Sequence, residues 1–489
     1  MSPSSYQKRT KKDRINNKKR GCTLNRVDRL NSVNAIFCFR HRKRGILIGK
    51  IKSTITNITK ENTPMDNNTR KLLNLTDDSL IFNEDWLSRE ARNNRSVNMI
   101  TGRLVNKDKQ CQKCGCYQSV KNGTYQTISQ LPEVERRPTY LKLHRERYLC
   151  RNCGSTFSAS TSLVDDYCQI SKQLKYQIAF DLKENQSRKK IAEYHSVSEN
   201  TVKRVLVSFT NNQQPNFNFL PTALCVDEFS STSDCHAGMS FICADAASKK
   251  IIDILPDKRL HKLVSYFMKY SRKSRLKVRF LVMDMNASYG QLLKTVFPNA
   301  EIVTDRFHII QHINRSFNTL RIKEMNQLKR HNQEEGKQYR RLKRYWKLLL
   351  KDSSELNYKH FYYRPLFKRN MSSTELVDEL LSYSSLLKKA YHFMQELKYA
   401  YRTNDYVLFL ELCSKIPVEL PKYFRDKFKI FGKFSQGVMN AFKYSYSNGF
   451  LEGINNKIKV IKRVAYGYRN FLLFKRRIFL IQNQVFQVK

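Results

Sequence analysis

From residue 224 onward, short apolar runs that end in polar or acidic residues alternate with longer stretches of three- and four-residue apolar spacing. The runs Leu224 to Phe229, Ser240 to Asp245 and Lys250 to Leu255 predict three consecutive strands, the last two joined by a turn at Ala246-Ala-Ser248. A helix over about 259–272, a strand over 278–283 and a helix over 287–297, stopped by Pro298-Asn299, follow. The run Glu301 to Thr304 is a further strand, and a long helix begins at Arg306. The resulting order, βββαβαβα, is an α/β pattern.

Other segments follow different periods. Residues 331–440 are rich in Lys, Tyr and Leu at helical spacing without strand patterning, and predict a helical insertion. Over roughly 448–466, Leu451, Ile454, Ile458, Ile461 and Ala465 form one apolar stripe, flanked by Glu452, Asn455, Lys459, Lys462 and Arg463. Upstream, Ser187 to Leu206 reads as helix, tight turn, helix, with Ile191, Ala192, Val197, Val202 and Val205 as the locking contacts and Ser198 as the cap of the second helix. Ser198, Glu199, Asn200, Lys203 and Arg204 then face outward; in a helix-turn-helix such residues approach the major groove.

Charge narrows the partner. Of 489 residues, 90 are Lys or Arg and 42 Asp or Glu, a net charge of +48, so a polyanion is expected to bind, nucleic acid first. No apolar stretch approaches the length of a bilayer span and no signal peptide is evident, so a membrane is not an expected partner and a cytoplasmic location is. The 12 cysteines are mostly scattered singly, as expected in a reducing compartment.

One cysteine group has ligand spacing. Cys111-Gln-Lys-Cys114 and Cys150-Arg-Asn-Cys153 are two CxxC knuckles, each followed by a glycine, and together they predict a structural zinc site; Cys116 is a bystander.

The carboxylates supply the candidate chemistry. Asp227 lies in the first strand of the α/β pattern, Asp284 ends the fourth, and Glu452 rides the late helix. Acids at the ends of buried strands converge on one sheet edge, as the RNase H-like fold arranges its site, and three carboxylates there can hold two Mg2+ or Mn2+ ions. Strand alternation places Asp227 in phase with Cys225 and out of phase with Glu228. Asp305 and His308 are expected as site neighbours, with helix capping sufficient to explain Asp305.

The expected organisation is a basic extension at 1–64, a leading segment at 65–105, a zinc ribbon at 106–160 and a helix-turn-helix at 161–210. The first part of an RNase H-like core at 221–330, a helical insertion at 331–440 and a C-terminal helix region at 441–489 complete it. The class is thus multidomain α+β. The extension is unpatterned, and Met65 is favoured over Met1 as the initiator.

These motifs, with Val226-Asp-Glu-Phe229, Met283-Asp-Met285, Pro298 to His308 and Ser447-Asn-Gly-Phe-Leu-Glu-Gly453, resemble the ISL-three family of bacterial insertion-sequence transposases from about Met65 to the C-terminus. The resemblance implies a DDE transposase with Asp227, Asp284 and Glu452 as its catalytic triad and N-terminal modules that bind the terminal inverted repeats of the element. It implies double-stranded DNA as partner, cutting and strand transfer without ATP, and an assembly of at least two copies. Lys459, Lys462 and Arg463 are candidate phosphate contacts beside Glu452, and Ser198, Asn200, Lys203 and Arg204 candidates for end recognition. The rival readings are a DNA-binding regulator without catalysis and a nuclease of the same fold that does not join strands.

Overall fold

The computed structural model describes residues 65–106, 109–211, 215–285, 290, 295–328 and 332–482; the basic extension and most of the helix expected at 287–297 lie outside the described residues. The chain divides into two compact units. Of the described residues, one unit comprises 65–88, Met99–Gln126 and Leu143–Ser160; the other comprises Arg89–Asn98, Thr127–Lys142 and those from Thr161 to 482.

A short helix, α1 (Asn67–Leu72), precedes strands β1 (Leu80–Ile81), β2 (Leu87–Arg92) and β3 (Arg95–Leu104). Two long strands, β4 (Ser119–Val134) and β5 (Arg137–Cys150), and the short β6 (Thr156–Ser158) complete a sheet in the order β1-β3-β5-β4, with β2 on β3 and β6 on β5. Of this ribbon, the sequence suggests only the run from Thr139 to Leu143. Polar residues fill most of β4, so few apolar side chains mark it.

Three helices follow: α2 (Lys172–Asp181), α3 (Arg188–Tyr194) and α4 (Glu199–Thr210). Ile191, Ala192, Val202 and Val205 are buried together, with Val197 packed against them. Each helix begins with a serine, Ser171, Ser187 or Ser198, whose hydroxyl accepts a backbone N–H three residues on. Ser198, Glu199, Asn200, Lys203 and Arg204 are all exposed, as the pattern predicts.

The second sheet carries the candidate site. Its strands are β7 (Ala223–Ser230), β8 (Met239–Asp245), β9 (Ile251–Leu255), β10 (Phe280–Met283) and β11 (Glu301–Thr304), in the order β11-β10-β7-β8-β9. The first three form an antiparallel meander, and β10 and β11 add in parallel to the other side of β7. The helix expected at 259–272 ends early, as α5 (Leu260–Phe267), and a second, α6 (Arg272–Lys277), follows where the Ser271 hydroxyl caps a new helix by accepting from Ser274 N.

Strand alternation splits the core in two. Leu224, Val226, Cys243, Leu281 and Met283 pack on one face with Leu263 and Phe267 of α5. Cys225, Phe229, Ile242, Val282 and Val303 pack on the other, against α7 (Arg306–Gln327) and the helices after it.

The insertion contains α8 (Gln333–Leu349), α9 (Ser373–Leu381), α10 (Ser385–Arg402), α11 (Tyr406–Ser414), α12 (Lys422–Lys433) and α13 (Ser435–Lys443). It is not wholly helical. A hairpin of β12 (Tyr362–Arg364) and β13 (Arg369–Met371) stands between α8 and α9, turning through Lys368 at a left-handed φ of 54°. No Gly or Asn marks that turn, and the strands are three residues long, too short for alternation to register. The chain then returns to the sheet: Asn440 Nδ2 on α13 donates to Ile302 O of the edge strand β11. Helix α14 (Gly449–Val464) packs on β7, and α15 (Phe471–Ile481) ends the described chain.

Candidate active site and zinc centre

The register β10 parallel to β7 pairs Val282 with Cys225, so the two strands reach the same edge with Asp227 on β7 and Asp284 immediately after β10. Helix α14 lies across that edge because Leu451, Ile454, Ile458 and Ile461 are buried beneath it, each such side chain contributing about 1.5–3 kcal/mol. Ala465, expected on the stripe, is the C-cap instead.

Polar contacts fix where that helix starts. Asn448, buried at its N-cap, donates from Nδ2 to Val226 O at 2.9 Å and to Val282 O at 3.3 Å, one bond to each of the two acid-bearing strands. Its backbone N–H donates to Asp305 Oδ1 at 3.0 Å, and Ser447 Oγ donates to the same oxygen at 3.4 Å. Asp305 also caps α7 by accepting from Phe307 N, so one buried carboxylate holds the starts of two helices. Its position answers to anchoring.

Two turns along α14, Asn455 Nδ2 donates to Asp227 Oδ2 at 2.8 Å, while Glu228 N donates to Oδ1. Glu452, three residues before Asn455, is half-buried on the same helix. Glu228 points to the other face, where it meets Lys258 at 2.6 Å. His308 Nε2 stands 3.7 Å from Asp305 Oδ2.

Electrostatics link these groups. Burial pushes the Asp227 carboxyl up to about 6; the Glu228 N–H bond and the His308 imidazole oppose that rise, and Asp284 and Asp305 add to it. Asp284, though its surface is exposed, is also pushed up, by the surrounding protein first; His308 and Lys258 oppose this, and Glu228 and Asp305 reinforce it. Asp227, Asp284, Asp305 and His308 thus form one interacting group. Glu452 rides the helix whose Asn455 meets Asp227.

Of the basic residues expected beside Glu452, Lys459 and Arg463 are exposed. Lys462 is tied back to the end of β7, its Nζ donating to Ser231 O at 2.7 Å and to Ser230 O at 3.2 Å. Asn448 figures in the sequence only as part of the Ser447-to-Gly453 motif, and Asn455 only as flanking the stripe; both side chains act through partners more than one hundred and sixty residues away.

In the other unit, the four cysteines come together as their spacing predicts. Cys111 and Cys153 Sγ lie 3.6 Å apart, as do Cys114 and Cys150, and all four sulfurs lie within 4.8 Å of one another. A tetrahedral zinc with Zn–S bonds of about 2.3 Å separates its sulfurs by roughly 3.7 Å, so the cluster fits that ion. Gly115 and Gly154 adopt φ of 71° and 67° and donate back to Cys111 O and Cys150 O, closing each knuckle through a conformation that side chains disfavour. Ser155 Oγ, 3.3 Å from Cys111 Sγ, is the main cause that draws that thiol down to about 6. Cys116 stays outside the group.

Comparison with known proteins agrees with this architecture. Residues 224–478 match a family model described as a transposase, and residues 159–210 match the helix-turn-helix domain of transposase family ISL3. The chain is 24% identical over 377 residues to the transposase for insertion sequence element IS1001 of Bordetella parapertussis, covering 74% of this chain and 85% of that one. It is also 43% identical over 117 residues to a protein of Lactococcus lactis subsp. lactis named as an ATP-dependent protease; that match spans 23% of this chain and only 37% of the relative. Among the described residues no helix is long and apolar enough to cross a membrane. With a DNA-binding helix-turn-helix and a DDE transposase domain spanning more than half its length, the chain belongs to the transposase family ISL3.

Proposed function

We propose that this transposase binds the terminal inverted repeats of its insertion sequence, cuts the DNA at the element end and joins the freed 3′-hydroxyl to target DNA. In this reading the second sheet is RNase H-like, and Asp227, Asp284 and Glu452 are the catalytic acids. The strand order β11-β10-β7-β8-β9, with an antiparallel meander extended by parallel strands, supports the fold assignment. The observation that carries the site is the pair of asparagines: Asn448 bridges the two strands that bear Asp227 and Asp284, and Asn455 holds Asp227 from the helix of Glu452.

All-oxygen donors suit Mg2+ or Mn2+, and two ions roughly 3.5–4 Å apart would activate the attacking oxygen and stabilise the leaving one. Such a pair does not require every acid to touch every other. The chain's own groups do the rest. Asn455 fixes the Asp227 carboxylate through one oxygen, and His308 offsets the crowding of Asp227, Asp284 and Asp305. Ser198, Asn200, Lys203 and Arg204 present the outer face of α4 to the repeat, while Lys459 and Arg463 lie on the helix of Glu452 where they can hold phosphates. Lys462, bonded to the end of β7, adds charge there while bracing the helix. The four cysteines hold zinc as a structural ion. Two copies act together on two element ends, in the bacterial cytoplasm.

The test is a labelled repeat end with Mg2+ and full-length protein. Asp227→Asn is expected to leave end binding measurable and to abolish cleavage and joining; strand transfer retained by that variant would refute the assignment. Binding without cutting by the parent protein would identify a regulator, and cutting without joining a nuclease.

A further inference from the structure

The hairpin inside the insertion presents an unusual surface. Residues 358–363, Tyr-Lys-His-Phe-Tyr-Tyr, are all exposed, with Tyr358 at 67%, Phe361 at 56%, Tyr362 at 55% and Tyr363 at 63%. Neighbouring large aromatic rings rarely stay this open in a chain that has a core available, and such a patch marks a place where something docks. The hairpin's base is anchored: Met371 is buried in the main core, and Phe367 lies under the Arg341 guanidinium at 4.1 Å from its ring centre. A two-stranded ribbon has little stability of its own, so this anchoring is what keeps the exposed rings in place.

Charge selects the occupant. From Leu356 to Thr374 there is no Asp or Glu, while Lys359, His360, Arg364, Lys368 and Arg369 interleave with the rings. The Arg364 guanidinium sits 5.5 Å from the centre of the Tyr362 ring and Lys359 Nζ 5.6 Å from that of Tyr358. Arg369 already pairs with Glu379 at 3.2 Å, but a second copy of this face would bring the other like charges together, and an apolar peptide would leave Lys359 and Lys368 unanswered. A single nucleic-acid strand answers both features, because its bases stack on aromatic rings and its phosphates pair with the cations. Paired bases keep their faces buried in the duplex and offer no such stacking.

We propose that the β12–β13 ribbon binds unpaired DNA, stacking bases on Tyr362, Tyr363 and Phe361 and holding the backbone through the cations around them. It rests on the reading that the protein opens DNA ends, since that reaction exposes single-stranded segments, but it requires no catalysis. Binding is therefore measured without added Mg2+ or Mn2+, on full-length protein carrying Asp227→Asn, so that loss of cleavage has no bearing on the result. The probe is a short single-stranded oligonucleotide with 2-aminopurine, compared with the same sequence as a blunt duplex.

The expected result is quenched fluorescence on the single strand. Tyr362→Ala with Tyr363→Ala should weaken single-strand binding by roughly tenfold or more and leave duplex binding unchanged, and Tyr→Phe at both positions should restore it. Lys359→Ala with Lys368→Ala should flatten the salt dependence. All four side chains are exposed, so the variants are expected to melt like the parent. Single-strand affinity unchanged by loss of the rings overturns the proposal. So does a switch from self-associated to monomeric protein with unchanged oligonucleotide binding, which would assign the face to contact between copies.

Discussion

Asn455 and Asp227, 228 residues apart, meet at 2.8 Å through a single amide-to-carboxylate hydrogen bond. The bond leaves the other Asp227 oxygen held by the backbone N–H of Glu228, so the carboxylate plane is fixed from two sides. Asn455→Ala is expected to lower the cleavage rate on a labelled repeat end by roughly 10- to 100-fold, as other losses of orienting contacts do, while repeat binding stays as it was. Gel-based cleavage and a binding titration on the same DNA separate the two.

Asp227 also makes stability depend on pH. Its folded carboxyl titrates near 6, against about 3.9 in an unfolded chain. Between those values the folded state keeps a proton that the unfolded chain has released, so stability falls as pH rises through about 4 to 6. Asp227→Asn removes the charge. Without added Mg2+ or Mn2+ at pH 7 that variant should be more stable than the parent by on the order of 3 kcal/mol, the gap closing below about pH 4. Urea melts at the two pH values check the sign.

Asn448 couples the late helix to both acid-bearing strands. Asn448→Ala orphans the bonds to Val226 O and Val282 O in a buried setting and should cost about 2–4 kcal/mol. Glu452→Gln, on the half-buried face of the same helix, should leave the melting midpoint within about 0.5 kcal/mol of the parent while abolishing cleavage. Denaturant midpoints for the two variants distinguish a clamp from a reacting group.

The cysteine cluster makes its own prediction. Purified protein should contain one zinc per chain, and Cys114→Ser should lose it, with the melting of that unit shifted downward. Elemental analysis and a thermal scan with and without chelator read both. Zinc retained in the variant would place the ion elsewhere.

What the sequence revealed and what it concealed follow from the range of the interactions. The strand positions of Asp227 and Asp284 and the grouping of the four cysteines were legible because strand alternation, a strand end and the CxxC spacing are local patterns. Ser198 was legible as a cap for the same reason. The partners of Asn448 and Asn455 were not, since a side-chain hydrogen bond to a residue so distant in sequence leaves no trace in periodicity. The role of Lys462 as a brace was hidden likewise, and a basic residue on an exposed helix face reads equally as a phosphate contact. The β12–β13 hairpin was missed because three-residue strands carry no period, and the break between α5 and α6 because it depends on one serine cap.

The final helix belongs to two structures at once. Leu480 on α15 is buried among the core residues of the helix-turn-helix, and buried Arg477 donates to Glu184 O and Gln186 O just ahead of α3. From the same helix, Lys475 pairs with Asp253 on β9, and Phe471 N donates to Asp234 Oδ2 in the loop after β7. The helix-turn-helix and the acid-bearing sheet therefore share one mechanical frame. If α4 grips the repeat as proposed, the duplex meets the sheet at an offset set by the protein, a molecular ruler in base pairs. Half a helical turn added between the recognised sequence and the element boundary would present the wrong side of the double helix.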